Sequence, residues 1–333
     1  MKIPPSYEKT PEIIRQRERI ENLKNILEKL NLHPVHQLRL RRESLLRSAL
    51  YSAKIEGNPL TLAEMPDSKQ SSSRKAVKEV QNLAAAVKHL DVCFGKSQQT
   101  EIDLNLILKL HELVMVDVST YKVGALRNDA EGLFNSAGFA IKLFPPPSEI
   151  ASLLNTLVGY LASDLEDVVI RSLLGHLTFE RIHPFFDGNG RVGRLLITAT
   201  LRRFGYSSIA FSPFEELVHE NREFYYAALD GGPTQFLEFM LKSLADSLED
   251  YVDKSLALTG QPVTKESTLL PRRQEILNII RDHELVSLDF IARRFMAVNP
   301  RTLRFDLKSL VDVGLVAKHG TTKGVFYSAV KLG

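Results

Sequence analysis

The chain has 333 residues, 44% of them hydrophobic, with 43 Lys and Arg against 40 Asp and Glu for a net charge of +3. That length supplies material for two or more domains, and the charge balance is too slight to name a partner. A single cysteine, Cys93, excludes an internal disulfide framework. No apolar run of about 18 residues predicts a membrane span, and the polar start Met1–Lys9 does not read as a signal peptide. The expected setting is the cytoplasm.

In chain order, Ile13, Ile14, Ile20, Leu23, Ile26, Leu27 and Leu30 recur at helical spacing over 11–31, behind the start signal Thr10-Pro11. A second helix is expected from about His36 to Glu56, stopped by Gly57-Asn58-Pro59. Ser52 and Glu56, four apart, share a face of it. Glu56 places a carboxylate in the last turn, where the helix dipole disfavours negative charge, so it gains from an external cation. A surface glutamate held by Lys54 or Arg47 is the alternative.

A polar, serine-rich loop over 63–75 leads to helices over about 76–94 and 103–116. The second of these carries His111 beside its apolar stripe, as a structural, hydrogen-bonded residue. From Tyr121 to Pro147 the helical period fails. Phe139–Phe144, containing Ala140, Ile141, Lys142 and Leu143, can form a strand, and a partner strand across Asn135-Ser136 would complete a β-hairpin. Helices follow over about 147–161 and 165–181. His176 and Glu180 sit four apart in the latter, but no third ligand stands at a telling spacing, so packing is expected there over a metal site.

Residues 183–194 read His-Pro-Phe-Phe-Asp-Gly-Asn-Gly-Arg-Val-Gly-Arg, and an apolar helical pattern follows directly. The Gly-Asn-Gly turn frees successive backbone N–H groups to converge where a helix begins, which makes an anion site. Arg191 and Arg194 add charge-assisted contacts suited to phosphate oxygens. Asp187 can hold a hard cation such as Mg²⁺ beside those oxygens, and His183 is a candidate general base. The stretch reads as a phosphate-cradling catalytic loop.

Beyond it, the run Asn221–Leu229 carries Tyr225, for which a buried core position is one reading. A helix over 234–258 runs into a linker over 255–270. From Pro271 onward eleven Lys and Arg face six Asp and Glu, which marks a separate, mildly basic unit. Helices are expected there over 272–282, 289–295 and 301–313, with a short extended piece at 286–288 and an alternating tail over 318–329. The expected division is a helical region 1–100, a core 101–254, the linker, and a terminal domain 271–333.

The string 183–194 resembles the Fic signature, His-x-Phe-x-Asp/Glu-Gly-Asn-Gly-Arg-x-x-Arg, at every fixed position. The resemblance implies a mainly α fold, a Fic-type helical bundle with a short β-hairpin flap. It also implies transfer of AMP from ATP, with Mg²⁺, onto a protein hydroxyl. His183 would deprotonate that hydroxyl and Asp187 would bind Mg²⁺. Gly188, Asn189 and Gly190 would wrap the phosphates, and the run Arg191, Val192, Gly193, Arg194 would complete the ATP site through its two arginines. Tyr225 would lie near adenine or ribose, although Pro233 stands where the family often has asparagine. The strand Ala140, Ile141, Lys142, Leu143 resembles the flap that holds the target segment by main-chain pairing, with Arg127 at its start.

The string Ser52-x-x-x-Glu56-Gly57 resembles the family's inhibitory helix, here about 36–57. This implies that Glu56 pairs with Arg194 in the place of the ATP γ-phosphate. A protein target, self-modification and a homodimer are further family-level expectations. Relatives that reverse the transfer, or move phosphate or phosphocholine, leave its direction and group open. The end of the chain resembles a winged helix-turn-helix of the kind found in bacterial repressors, with residues 300–307 opening the recognition helix. Arg301, Thr302, Arg304 and Lys308 would there meet DNA phosphates or base edges. A nucleotide-sensing DNA-binding regulator is therefore the second reading, and a module that only packs or dimerises is the alternative to DNA binding.

Overall fold

The computed structural model describes residues 1–62, 71–95, 100–134, 140–295, 298–321 and 324–330. Helix α1 (Pro11–Lys29) starts where Thr10 Oγ1 accepts the Ile13 N–H and Pro11 presets the first helical φ. It buries Ile13, Gln16, Ile20 and Leu23 while Ile14 and Ile26 stay exposed, so its packed stripe is narrower than its apolar content suggests. Helices α2 (Pro34–Ile55), α3 (Ser71–Cys93) and α4 (Leu104–Met115) follow. Strands β1 (Gly132–Phe134) and β2 (Ala140–Leu143) pair antiparallel, Gly132 opposite Leu143 and Leu133 opposite Lys142. The expected hairpin is present; its tip, 135–139, lies outside the described residues. Of the serine-rich loop expected over 63–75, residues 63–70 also lie outside them, whereas 71–75 are helical and open α3.

Helices α5 (Pro147–Ala162), α6 (Val168–Ile182) and α7 (Asn189–Arg203) form the centre. Almost every residue of α6 and α7 is buried, as expected of helices enclosed on all sides. The α6 start is three residues later than its periodicity predicts. Asp167 accepts the N–H groups of Val169 and Ile170 and is also held by Arg17 of α1. That cap fixes the start and leaves Leu165 at 77% exposure. Gly175 lets α5 approach closely, since a Cβ there would fall 2.4 Å from Leu161. Short helices α8 (Glu215–Glu220) and α9 (Arg222–Asp230) lead to α10 (Pro233–Leu258), which packs along α1. Pro233 opens α10 at a first-turn position that needs no N–H, and the helix continues through the first residues expected to be linker.

A second hydrophobic cluster gathers Ile276, Leu277 and Ile280 of α11 (Pro271–Arg281), Val286 of β3 (Val286–Ser287) and Ile291 of α12 (Leu288–Arg294). Leu303, Leu307 and Leu310 of α13 (Pro300–Asp312) join them, with Val316 of β4 (Val316–His319) and Tyr327 of β5 (Phe326–Ala329). The sheet order is β3-β5-β4, antiparallel throughout. Asp306 is 1% exposed there and is bridged by Arg272 (2.6 Å) and Arg273 (2.8 Å). Among the described residues, no helix is long and apolar enough to cross a membrane.

Candidate active site

The loop between α6 and α7 is held mostly from within. His183 caps α6 in the left-handed region (φ 50), a conformation that costs a non-glycine residue about 1 kcal/mol. Its N–H reaches Phe179 O at 2.9 Å. Its ring stacks on Phe144 at 4.0 Å, 7° from parallel. Asn189 closes the turn by accepting the Phe185 N–H (3.0 Å) and donating to Phe185 O (2.7 Å). Gly188 caps α7 at φ 87, and a Cβ there would fall 2.7 Å from Met115 Sδ.

Two residues from outside the loop brace it. His111 of α4 stacks on Phe185 at 3.7 Å. Its Nδ1 accepts the Gly124 N–H (2.9 Å), so the remaining proton sits on Nε2, which donates to Asp187 O (3.1 Å). Burial pushes its pKa down to about 4, which keeps this bridging tautomer neutral. Arg127, 2% exposed, donates Nε to His183 O (2.8 Å) and its other nitrogens to Asp129 O and Pro145 O. Its own N–H reaches Pro184 O at 2.9 Å. One guanidinium thus fastens the base of the β1–β2 hairpin to the His183 turn.

The two motif arginines go to different partners. Arg191 pairs with Asp187 at 2.6 Å, whose side chain is 47% exposed. Arg194, 1% exposed, is gripped by α2: Nε donates to Ser52 Oγ (3.0 Å), and Nη2 donates to Ser52 O (2.9 Å) and Glu56 Oε1 (2.8 Å). Its Nη1 is buried without an acceptor. Burial acts to lower the Arg194 pKa, and the Glu56 carboxylate outweighs that and raises it. Lys54 and Arg47 are engaged elsewhere, on Leu60 O and on Glu216. A Cβ on Gly190 would fall 2.3 Å from Glu56 Oε1. The carboxylate disfavoured at the end of α2 therefore rests against the positive end of α7.

Behind the loop, the Tyr225 hydroxyl lies 2.8 Å from His176 Nε2, and both residues are buried. Burial, reinforced by the Arg194 charge, drives the His176 pKa down to about 3. Gly193 accommodates this pair, since a Cβ there would fall 2.5 Å from His176 Nδ1 and 2.7 Å from Glu180 Oε1. A cavity of about 200 Å³ is shared by Glu56, Glu180, His183, Asp187, Arg194 and Tyr226, with Gly188–Gly190 and Tyr225 also on its lining. Arg191, Val192 and Gly193 do not line it: Val192 is fully buried in the core, Arg191 faces Asp187, and Gly193 faces His176.

The side chains of Ala140, Ile141 and Lys142 lie outside the described residues. The β2 backbone runs on through Leu143 to Phe144 on the His183 ring. Arg301, Arg304 and Lys308 are exposed and Thr302 half-buried, all on α13 in the second cluster, apart from this site. Sequence reasoning did not assign Tyr226 or Glu180 to the cavity wall, nor the three-carbonyl grip to Arg127. Adjacency to Tyr225 was the available signal for Tyr226. Among the described residues no group of three His, Cys, Asp or Glu side chains could hold a metal. With Glu56 on the cavity held by Arg194, the half-exposed Asp187 carboxylate fits a cation that is otherwise held by phosphate oxygens and water.

Residues 101–201 match the Fic/DOC family. The chain is 26% identical over 255 residues to the protein adenylyltransferase Fic of Drosophila erecta, covering 74% of this chain and 49% of that one. It is 44% identical over 86 residues to a probable protein adenylyltransferase of Aquifex aeolicus, covering 26% and 24%. It spans about half the length, or less, of these curated relatives. A Fic family protein from Desulfovibrio desulfuricans G20 has a crystal structure that superposes over 99% of both chains, with a TM-score of 0.64 and 25% identity. With the signature intact at 183–194, residues 101–201 carry a Fic/DOC domain, in a chain whose fold is similar to that of the Desulfovibrio protein over 99% of its length.

Proposed function

We propose that the chain is an autoinhibited protein adenylyltransferase, moving AMP from ATP to a hydroxyl side chain of a protein target. The observation that carries this reading is the 2.8 Å contact between Glu56 and Arg194 on a cavity that also holds His183 and the start of α7. His183 takes the proton of the incoming hydroxyl, the hydroxyl oxygen attacks the α-phosphorus, and pyrophosphate leaves. The N–H groups opening α7 and the Arg194 guanidinium offset charge on the phosphates. Asp187 would hold Mg²⁺, which neutralises phosphate charge when bound. β2 keeps one edge unpaired among the described strands, suited to main-chain pairing with a target segment. Glu56 occupies the γ-phosphate position by holding Arg194, and the Arg194 Nη1 without an acceptor is the N–H a phosphate oxygen would take.

The test compares the native chain, Glu56→Gly, and Glu56→Gly with His183→Ala, each given Mg²⁺ and ATP labelled at the α- or γ-phosphate. Strong α-label in Glu56→Gly, on added target or on the chain itself, and its loss in the double variant are expected. Transfer of γ-label would replace this reading with kinase-like chemistry. α-Label of equal strength in native and Glu56→Gly proteins would remove the inhibitory role of Glu56.

A second reading adds DNA as a partner of residues 271–333. The exposed charges of α13 are Arg301, Arg304 and Lys308 against Asp312 alone, because Asp306 is buried. This 13-residue helix can lie in a major groove with those side chains on phosphates or base edges. Expected is duplex binding that weakens with salt and is lost in Arg301→Ala/Arg304→Ala. Binding indifferent to that pair of changes would rule it out.

A further inference from the structure

A cleft of about 500 Å³, larger than the catalytic cavity, opens between α2, α3, α7 and the turn at 207–211. One side of it is Phe211, whose ring centroid has the Arg41 guanidinium at 4.5 Å and the Arg202 guanidinium at 5.4 Å. Arg202 is 6% exposed; its Nη1 reaches Val87 O (3.1 Å) and Asp91 (2.9 Å), and its buried Nε has no acceptor. Arg42 and Lys88 also line the cleft, so four cations face the single carboxylate of Asp91. The remaining lining includes the apolar side chains Val87, Phe94 and Phe211.

A cation-rich aromatic wall beside apolar surface selects for an anion attached to an apolar body. The anionic head offsets the excess positive charge of the four cations. The body covers Phe94 and Phe211, and the volume is that of an ordinary small-molecule site. We propose that this cleft binds a small anionic amphiphile, one carboxylate, sulfonate or phosphate on an aromatic or acyl body, and that the ligand firms the seat of α2 on α7. The coupling follows from helix geometry. Ser48 of α2 and Thr198 of α7 line the cleft. Ser52 and Arg194 lie one turn away on the same two helices, about 6 Å along each axis, and are joined to each other at 3.0 Å. A ligand wedged against Ser48 and Thr198 restrains the two helices beside the Arg194 clamp. The binding site stands on this geometry alone, while any effect on AMP transfer rests on the proposed function.

The probe is anilinonaphthalene sulfonate, an aromatic anion whose fluorescence rises on leaving water. Titrated into the full chain it should bind one saturable site and stay bound under excess Mg²⁺-ATP. Arg41→Glu, on an exposed side chain, should weaken it roughly tenfold through charge reversal, while Arg15→Glu on α1 leaves it unchanged. Displacement by decanoate would identify an acyl ligand class, and displacement by naphthoate an aromatic one. Bound probe should slow amide exchange over 53–58. Equal affinity in the native and Arg41→Glu proteins, or displacement by Mg²⁺-ATP, would overturn the site. Unchanged exchange over 53–58 would overturn the coupling. A probe that binds and slows exchange without altering label transfer would leave this inference standing and count against the inhibitory role of α2.

Discussion

Arg194 in the first hydrophobic cluster and Asp306 in the second are each 1% exposed, yet their surroundings differ in kind. Asp306 has both carboxylate oxygens bridged, one by Arg272 and one by Arg273, with the partners themselves largely covered. It ties α11 to α13 and leaves nothing over. Arg194 has a partner whose side chain is 32% exposed, an Nη1 without an acceptor, and a cavity beside it. A buried charge that is saturated acts as structure. One that keeps an unspent donor beside a cavity and a replaceable partner is poised to exchange that partner for a ligand.

The sharpest way to break this comparison is to remove one partner from each pair. Asp306→Ala leaves two arginines facing each other with no carboxylate between them, so urea unfolding of the C-terminal unit should show a loss of about 3–5 kcal/mol. Glu56→Ala should cost only about 1 kcal/mol, because its carboxylate is partly solvated and water can reach Arg194. Similar losses in the two variants would mean that Glu56 is as structural as Asp306.

Next in size is Gly193→Ala. The added methyl would meet His176 Nδ1 at 2.5 Å in an enclosed part of the core, behind the arginine clamp. Overpacking of this kind costs about 1–3 kcal/mol, and a thermal midpoint equal to that of the native chain would show that the His176–Tyr225 layer can yield.

Much of the site was legible because its chemistry lies in consecutive residues. The loop His183–Arg194 carries its own closing hydrogen bonds through Asn189 and Phe185, four residues apart, so the Gly-Asn-Gly string that marks the turn lies in the segment that closes it. The start of α7 followed from Gly188. The Glu56–Arg194 contact spans 138 residues; a carboxylate at an unfavourable helix end hinted that a distant cation was needed, and the resemblance of Ser52–Gly57 to the inhibitory string named Arg194. The grip of Arg127 on His183 O and Pro145 O left no sequence signal of its own, since backbone carbonyls are present at every residue. The late start of α6 was hidden for a related reason: Asp164 and Asp167 are both plausible caps, and Arg17, 150 residues away, is bonded to Asp167.

Acid should separate the two regions further. His111 and His176 have folded pKa values of about 4 and about 3, below the ordinary 6.5. The unfolded chain therefore binds protons first as pH falls through about 6.5. Their contribution to stability is complete above that value and declines from there down to about pH 4 for His111 and about pH 3 for His176, so the first cluster loses stability over this window. The second cluster is built from side chains that do not ionise in this window. Its own unfolding midpoint should stay flatter between pH 6.5 and 4, and His111→Gln should reduce the slope of the first. Parallel decline of both units, followed by residue-resolved amide exchange, would show that they unfold as one.

The smallest expected effect tests how the replaceable partner is held. The Tyr226 hydroxyl donates to Ile55 O at 3.2 Å, pinning the last turn of α2 from α9, one residue before Glu56. Tyr226→Phe deletes that bond and little else, a change worth about 0.5–1.5 kcal/mol. Arg47–Glu216 and Ser48–Glu215 would still hold the earlier turns of α2 on α8, so only the Glu56 end should loosen. If Glu56 restrains transfer by holding Arg194, that free energy appears as a roughly two- to tenfold rise in basal transfer with overall stability hardly altered. A fall in transfer instead would mean that Tyr226, which lines the cavity, serves the substrate more than it serves the end of α2.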